Sequence, residues 1–418
     1  MMIFYMAQRP GGRAYTGRAP SGCALALALL AAGLGMPSAG GQTPGPAGPR
    51  QAAAVSATNA LSDAALAAAL AGLTNDLRLQ LWDWSGALRG SAGYKDNILL
   101  SHSNRLASPL WYSHADAMVF RLPTAGWLFD AMASGEDIRY FGGKTESSED
   151  FVTALAELKR TFSDHWSSTL RANYVYVDEV IDLELVQPGL SGTSRAVGNA
   201  LTGRWLARGD YGPNWAELEM VGTRQLFERP LDSYWQWGPK LTLGHRFATN
   251  SEVGLSYQWS YLPYDSYEQA DRLGNLLTNT VLALTTHTVQ LTWNQAWDRR
   301  ARWHTLLTGS FDAVSDNGSD YFGYDRYSLS GRLEYKAGAW TLAGTVRGAW
   351  YDYPVQTIDA AGLIRRSKTG FGACLNAEWK LSKAFKLLAS YDFERSFSNL
   401  VIDDYSVSTV SAGVQWQF

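Results

Sequence analysis

Apolar and polar side chains alternate along most of this chain with a period of two residues. No other feature of the sequence so narrows the folds open to it. Val253, Leu255, Tyr257, Trp259 and Tyr261 interleave with Gly254, Ser256, Gln258 and Ser260. Phe371, Ala373, Leu375, Ala377, Trp379 and Leu381 interleave with Asn376, Glu378 and Lys380, and Phe385, Leu387, Ala389, Tyr391 and Phe393 with Lys386, Ser390, Asp392 and Glu394. Successive side chains of a strand point to opposite faces, so each segment is a strand with one greasy and one wet face. A soluble sandwich also alternates, but its apolar face is aliphatic core. Here aromatics gather at segment ends, beside nearly every short turn: Trp166, Trp205, Trp215, Trp297, Trp303, Trp340 and Trp379. Aromatic girdles at two interfaces are a property of strands that cross a membrane.

Composition removes the competing classes. Lys and Arg number 36 against 39 Asp and Glu, without the clustered basic face that nucleic acid requires. Seventeen Trp, 21 Tyr and 15 Phe exclude disorder over most of the chain. A helical span needs about 18 or more apolar residues, and the one candidate run, Cys23 to Met36, is too short. That run follows Arg9, Arg13 and Arg18 and precedes the small residues Ser38, Ala39, Gly40 and Gly41, so residues 1–40 read as a secretory signal peptide cleaved near Gly40 or Gly41. Its removal leaves Cys374 as the one cysteine and rules out an intramolecular disulfide. Residues 41–76 read as a flexible periplasmic segment. Ser62 is placed to cap a short helix over Asp63 to Leu73, for which a plug in a pore is the sharper alternative.

About sixteen strand segments fit the remainder at the spacing of membrane strands. They are 77–94, 111–122, 127–141, 150–163, 167–182, 194–210, 214–228, 234–248, 252–265, 279–298, 301–317, 325–338, 339–354, 368–382, 385–398 and 405–418. Short connections alternate with long ones (95–110, 183–193, 266–278, 318–324 and 355–367), as up-and-down strands with short periplasmic turns and longer external loops demand. Backbone groups in hydrocarbon have no water to bond, so such a sheet must close on itself. The chain finishes on Val410-Ser411-Ala412-Gly413-Val414-Gln415-Trp416-Gln417-Phe418, again alternating. This end resembles the last strand of bacterial outer-membrane β-barrels, whose terminal aromatic is read by the assembly machinery. The resemblance implies that assembly role for Trp416 and Phe418, a porin-like fold over 77–418 with no specific subfamily, and residence in the bacterial outer membrane.

If the apolar residues face lipid, their neighbours face a water-filled lumen. The basic candidates for that wall are Arg171, Arg204, Lys240, Arg246, Arg332, Lys336, Arg347, Lys380 and Lys386, and the acidic ones Glu217, Glu219, Glu334, Glu378, Asp392 and Glu394. Charges on a channel wall set which solutes pass. Arg332, Lys336 and Arg347 fall on adjacent strands, where a basic wall for anionic solutes is one reading and simple hydration with cross-strand pairing the other. The loop Asp316 to Asp325 carries carboxylates without the spacing of a calcium loop, so turn chemistry is the expectation there.

None of the six histidines makes an i, i+4 metal pair, and no Gly-x-Ser-x-Gly elbow or phosphate loop is present. The chain is therefore expected not to be an enzyme and to use no cofactor or metal. The expected function is an outer-membrane channel for small hydrophilic solutes. An export pore, for example for polysaccharide, and a plugged structural or surface-binding barrel are the alternatives. Expected partners are outer-membrane lipids and lipopolysaccharide, the barrel-assembly machinery, small solutes and, optionally, further copies of the chain, but not nucleic acid.

Overall fold

The computed structural model describes residues 81–418 apart from 143–145, 249, 299–300 and 360–361. The expected signal peptide, the segment 41–76 and its helix lie outside the described residues. Strands follow one another along the chain as β1 (Trp82–Lys95), β2 (Ser108–Thr124), β3 (Trp127–Tyr140), β4 (Ser148–Thr161), β5 (Trp166–Asp182), β6 (Thr193–Tyr211), β7 (Asn214–Phe227), β8 (Tyr234–Ala248) and β9 (Ser251–Pro263). After a two-residue hairpin pair, β10 (Gln269–Ala270) and β11 (Leu276–Leu277), come β12 (Ala283–Ala296), β13 (Trp303–Asp316), β14 (Tyr324–Ala337), β15 (Trp340–Thr357), β16 (Arg365–Lys380), β17 (Phe385–Ser398) and β18 (Tyr405–Gln417). All but β10 and β11 form one closed antiparallel barrel of sixteen strands, each hydrogen-bonded to its chain neighbours, with β18 returning to β1.

Every short turn lies at one end, together with the start of β1 and the end of β18. The long connections, 96–107, 183–192 and 264–282 among them, lie at the other. In barrels of this kind the short-turn end faces the periplasm. One of the two-residue turns joins β2 to β3 through Ala125 and Gly126, both with positive φ (50° and 78°), which is the hairpin whose twist matches that of the strands. The alternation predicted sixteen strands but not β10 and β11, which fold back within the loop between β9 and β12.

The barrel seam carries the C-terminal aromatics. Phe418 exchanges backbone hydrogen bonds with Gly86, 2.9 Å and 3.0 Å long. Its ring lies over that glycine, so close that a Cβ there would fall 2.6 Å from it. Trp84 and Trp416 pack on the same ring with centroids at 6.0 Å and 4.7 Å.

The outward phase of the strands is apolar and exposed. Trp82, Trp127, Trp166, Trp297, Trp303, Trp340 and Trp379 ring the short-turn end, and Tyr94, Trp111, Trp235, Tyr327 and Trp350 lie toward the other. Two expected girdle residues stand elsewhere. Trp205 faces outward, but six residues before the end of β6 (211 − 205). Trp215 is only 7 % exposed and faces inward, because its strand phase is that of Glu217 and Glu219. Gly244 opposite makes room for its ring, and the Arg208 guanidinium stacks on it at 4.1 Å.

Gly86→Leu should force the Phe418 ring off the seam, an overpacking cost of about 1–3 kcal/mol. The expected result is a lower temperature at which the heat-modifiable, folded band is lost in gel electrophoresis. Gly135→Leu, whose Cβ meets open space, should leave that temperature unchanged.

Candidate functional site in the lumen and its mouth

Residues directly opposite one another in an antiparallel pair share a face. The register therefore assigns each charged candidate to the phase opposite the exposed apolar residues. Arg171, Arg204, Glu217, Glu219, Lys240 and Arg246 come together on β5 to β8. There Glu157 opposes Arg171, Arg171 opposes Arg204, and Glu219 opposes Lys240. Separate ion pairs hold most of them. Arg171 Nε donates to Glu157 at 2.8 Å and Arg204 Nη1 to Glu219 at 2.9 Å. Arg208 meets Asp210 at 3.0 Å and Glu217 at 3.7 Å, while Arg246 meets Asp210 at 3.0 Å and Glu252 at 3.2 Å.

Arg332, Glu334, Lys336, Arg347, Glu378 and Lys380 occupy a second sector, β14 to β16. Arg332, Lys336 and Arg347 do not form a bare basic wall. Arg332 and Lys336 both close on Glu334 between them, and Arg347 donates to Glu394 at 2.7 Å. Two residues apart on one strand means one face, so Glu334 bridges both neighbours and leaves one net positive charge among the three. Glu378 holds Lys386 at 3.0 Å. Lys380 is an exposed residue that ends β16, opposite Lys386, and stands at the short-turn rim.

His114 also belongs to this wall, and sequence reading passed over it. Its Nε2 lies 2.9 Å from Asp116 and its Nδ1 3.2 Å from Glu136. The His114/Asp116 spacing of two is legible in the sequence. Glu136 joins only through the β2–β3 register.

The structure places a third and denser cluster where no candidate was expected. The connection from β5 to β6 makes a 3-10 turn over Leu183–Leu185, with the Asp182 carboxylate accepting from Glu184 N at 3.2 Å. From there it reaches β16, which stands seven strands away around the barrel in one direction and nine in the other. Lys368 donates to Asp182 at 2.5 Å and to Glu184 at 3.0 Å. Arg366 meets Glu184 at 2.7 Å and Asp403 at 2.5 Å. All five groups are removed from water, with exposures of 0 % for Asp403, 2 % for Asp182 and 3–7 % for Arg366, Lys368 and Glu184.

Other loops fasten the same strap. Gly192 N donates to Asp403 Oδ1 at 2.7 Å, Asp232 N to Gln187 Oε1 at 2.8 Å, and the Tyr267 hydroxyl to Pro188 O at 3.3 Å. Gly189 (φ 82°) lies against the Phe322 ring, where a Cβ would be 2.3 Å from it. Beside the strap, Arg224 hydrogen-bonds Asp265 and holds its carboxyl below the usual range.

In the loop after β13, Asp316 spends its carboxylate on local backbone, accepting from Gly318, Asp320 and Phe322 N at 2.7, 2.8 and 2.9 Å. That is turn chemistry. No group of three or more metal-ligating side chains occurs among the described residues.

Closure without an edge, an apolar outward phase ringed by aromatics at both ends, and a charged inward phase decide the setting. The chain is a porin-like β-barrel of the bacterial outer membrane. No protein-family model matches the sequence, and no curated protein matches it. Among solved structures the barrel is similar to a loop L8 deletion mutant of OmpT, an outer membrane protein of Vibrio cholerae, at 10 % identity and TM-score 0.44, over 81 % of this chain and 99 % of that one. It is also similar to OprD from Pseudomonas aeruginosa at 11 % identity and TM-score 0.43, over 81 % and 94 %. A structure described as a bacterial polysaccharide outer membrane secretin matches at 9 % identity and TM-score 0.40, over 80 % and 97 %. Likeness at this level concerns barrel shape alone.

Removing one partner of a buried ion cluster strands the others, at a cost of about 3–5 kcal/mol. Arg366→Met should therefore lower the urea midpoint for unfolding strongly. Arg302→Met, which removes an exposed pair with Asp298 at the opposite end, should cost no more than about 1 kcal/mol.

Proposed function

We propose that the barrel is a channel for small hydrophilic solutes. The observation that carries this reading is the charged inward wall on β4 to β8, where Glu157 pairs with Arg171 and Glu219 with Arg204, and Lys240 stands opposite Glu219. Charged pairs at this density favour a wall that meets water, since a charge turned to the lipid midplane costs about 2–4 kcal/mol. Sixteen strands enclose more space than their own side chains fill. Arg171, Arg204, Glu217, Glu219, Lys240 and Arg246 then line one side of the aqueous path. Arg332, Glu334, Lys336, Arg347, Glu378 and Lys380 line the other, and in both sectors most of the basic groups meet a carboxylate.

The strap between β5 and β6 narrows the external mouth. Its buried latch of Asp182, Glu184 and Asp403 with Arg366 and Lys368 favours a fixed constriction over a loose loop. The barrel acts without catalysis or cofactor. Trp416 and Phe418 serve as the assembly signal, and lipopolysaccharide, the assembly machinery and further copies of the chain are its envelope partners.

Planar-bilayer recording tests the channel. Wild-type protein should give small unitary conductance steps, and Glu184→Gln with Asp403→Asn, which unfastens the strap, should enlarge them. Steps from the variant alone would make this a plugged barrel. Silence from both, with heat-modifiable folding intact, would sink the channel reading.

A further inference from the structure

The outward face of β3 to β7 is unevenly clad. One cross-strand row runs Ala131, Ala156, Ala172, Gly203, Gly222, each directly opposite the next, and presents nothing larger than a methyl group. The neighbouring row runs Phe129, Leu158, Leu170, Trp205, Met220. Small residues beside large ones leave a groove of about 590 Å³ on the lipid-facing wall, with Ala156, Ala172, Gly203 and Gly222 in its floor and Ala131 continuing the row. Neighbouring strands lie about 4.8 Å apart, so the four steps of the floor span roughly 19 Å. That length suits an acyl chain.

The groove is inclined. Its floor stands four residues into β3 (131 − 127) but eight residues into β7 (222 − 214). It thus opens near the short-turn rim and climbs toward the middle of the barrel. At the low end stand two arginines on the outward phase. Arg121 lies directly opposite Phe129, and Arg160 directly opposite Trp127. Arg160 stacks on Trp127 at 4.9 Å and on Phe162 at 5.0 Å, and Arg121 on Trp82 at 5.8 Å. Neither has a carboxylate partner among the described residues, and the Arg121 Nε is buried without a hydrogen bond. Three outward arginines at the other end are instead paired with carboxylates: Arg139 with Asp137, Arg195 with Asp178 and Arg224 with Asp265. A guanidinium fork at the membrane surface matches phosphate, with charge-assisted bonds in a fixed geometry.

We propose that this groove binds one phospholipid of the periplasmic leaflet, with an acyl chain along the Ala131–Gly222 floor and the phosphate between Arg121 and Arg160. The proposal rests on the barrel crossing a membrane and is independent of what passes through its lumen.

Native mass spectrometry of the full barrel in detergent tests it, with added palmitoyl-oleoyl phosphatidylglycerol as probe and the diacylglycerol bearing the same chains as its phosphate-free counterpart. The expected result is one retained phosphatidylglycerol per barrel and much weaker retention of the diacylglycerol. A Cβ on Gly203 or Gly222 meets open space, so Gly203→Leu with Gly222→Leu fills the groove without moving the wall. That variant should lose retention of both lipids while keeping heat-modifiable migration. Arg121→Gln and Arg160→Gln should each weaken phosphatidylglycerol about tenfold, the worth of one charge-assisted contact, and leave the diacylglycerol unchanged. Undiminished retention in the leucine variant would overturn the proposal. So would conversion of an oligomer to monomer with lipid retention unchanged, which would make a second copy of the chain the occupant.

Discussion

A backbone amide in hydrocarbon has no solvent to bond, and every other feature of this protein follows from that fact. The sheet cannot keep an edge, so β18 must return to β1. Gly86 and Phe418 exchange the last hydrogen bonds of that return, and the Phe418 ring covers the glycine between Trp84 and Trp416. Closure then sorts the side chains. One phase meets lipid and is greasy, and the other meets the interior and is polar, because successive residues of a strand point opposite ways.

Charge is carried inside in near-balance. Glu157 opposes Arg171 and Glu219 opposes Lys240 across adjacent strands, while Arg332 and Lys336 share Glu334 along one strand. Such pairs need no long-range design beyond correct register. The mouth is different. Five ionisable groups from β5, β16 and two loops are buried together, three acidic and two basic. Taking them out of water is costly and is offset only by close mutual geometry. The same burial makes the arrangement specific, since one displaced partner leaves a charge without solvent. The strap is accordingly held by side chains of the far wall and by the loops around 232, 267 and 322, not by its own short 3-10 turn.

Much of this was legible in the sequence. The strand β8 over 234–248 and β17 over 385–398 match the alternation residue for residue, and most other strand ends lie within three residues of it. Alternation is a local property that any strand must obey, so it survives without knowledge of partners. Trp215 shows its limit. Position beside a turn suggested a girdle, yet phase places the ring inside, over Gly244 and under Arg208. The short β10 and β11 escaped because two residues carry no period. Asp182, Glu184, Arg366, Lys368 and Asp403 escaped because they sit at strand ends and in loops, where alternation stops.

The sequence by itself determined that this chain forms amphipathic membrane strands, how many, and which side chains share a face, because period and turn spacing are written in neighbouring residues. Only the tertiary structure decided what meets across the lumen and which small outward residues align into one groove. Those depend on closure and register, which bring residues such as Glu184 and Arg366 together across the barrel although nearly half the chain separates them in sequence. No local pattern records that distance, since it is set by the barrel's circumference and by where each loop folds back.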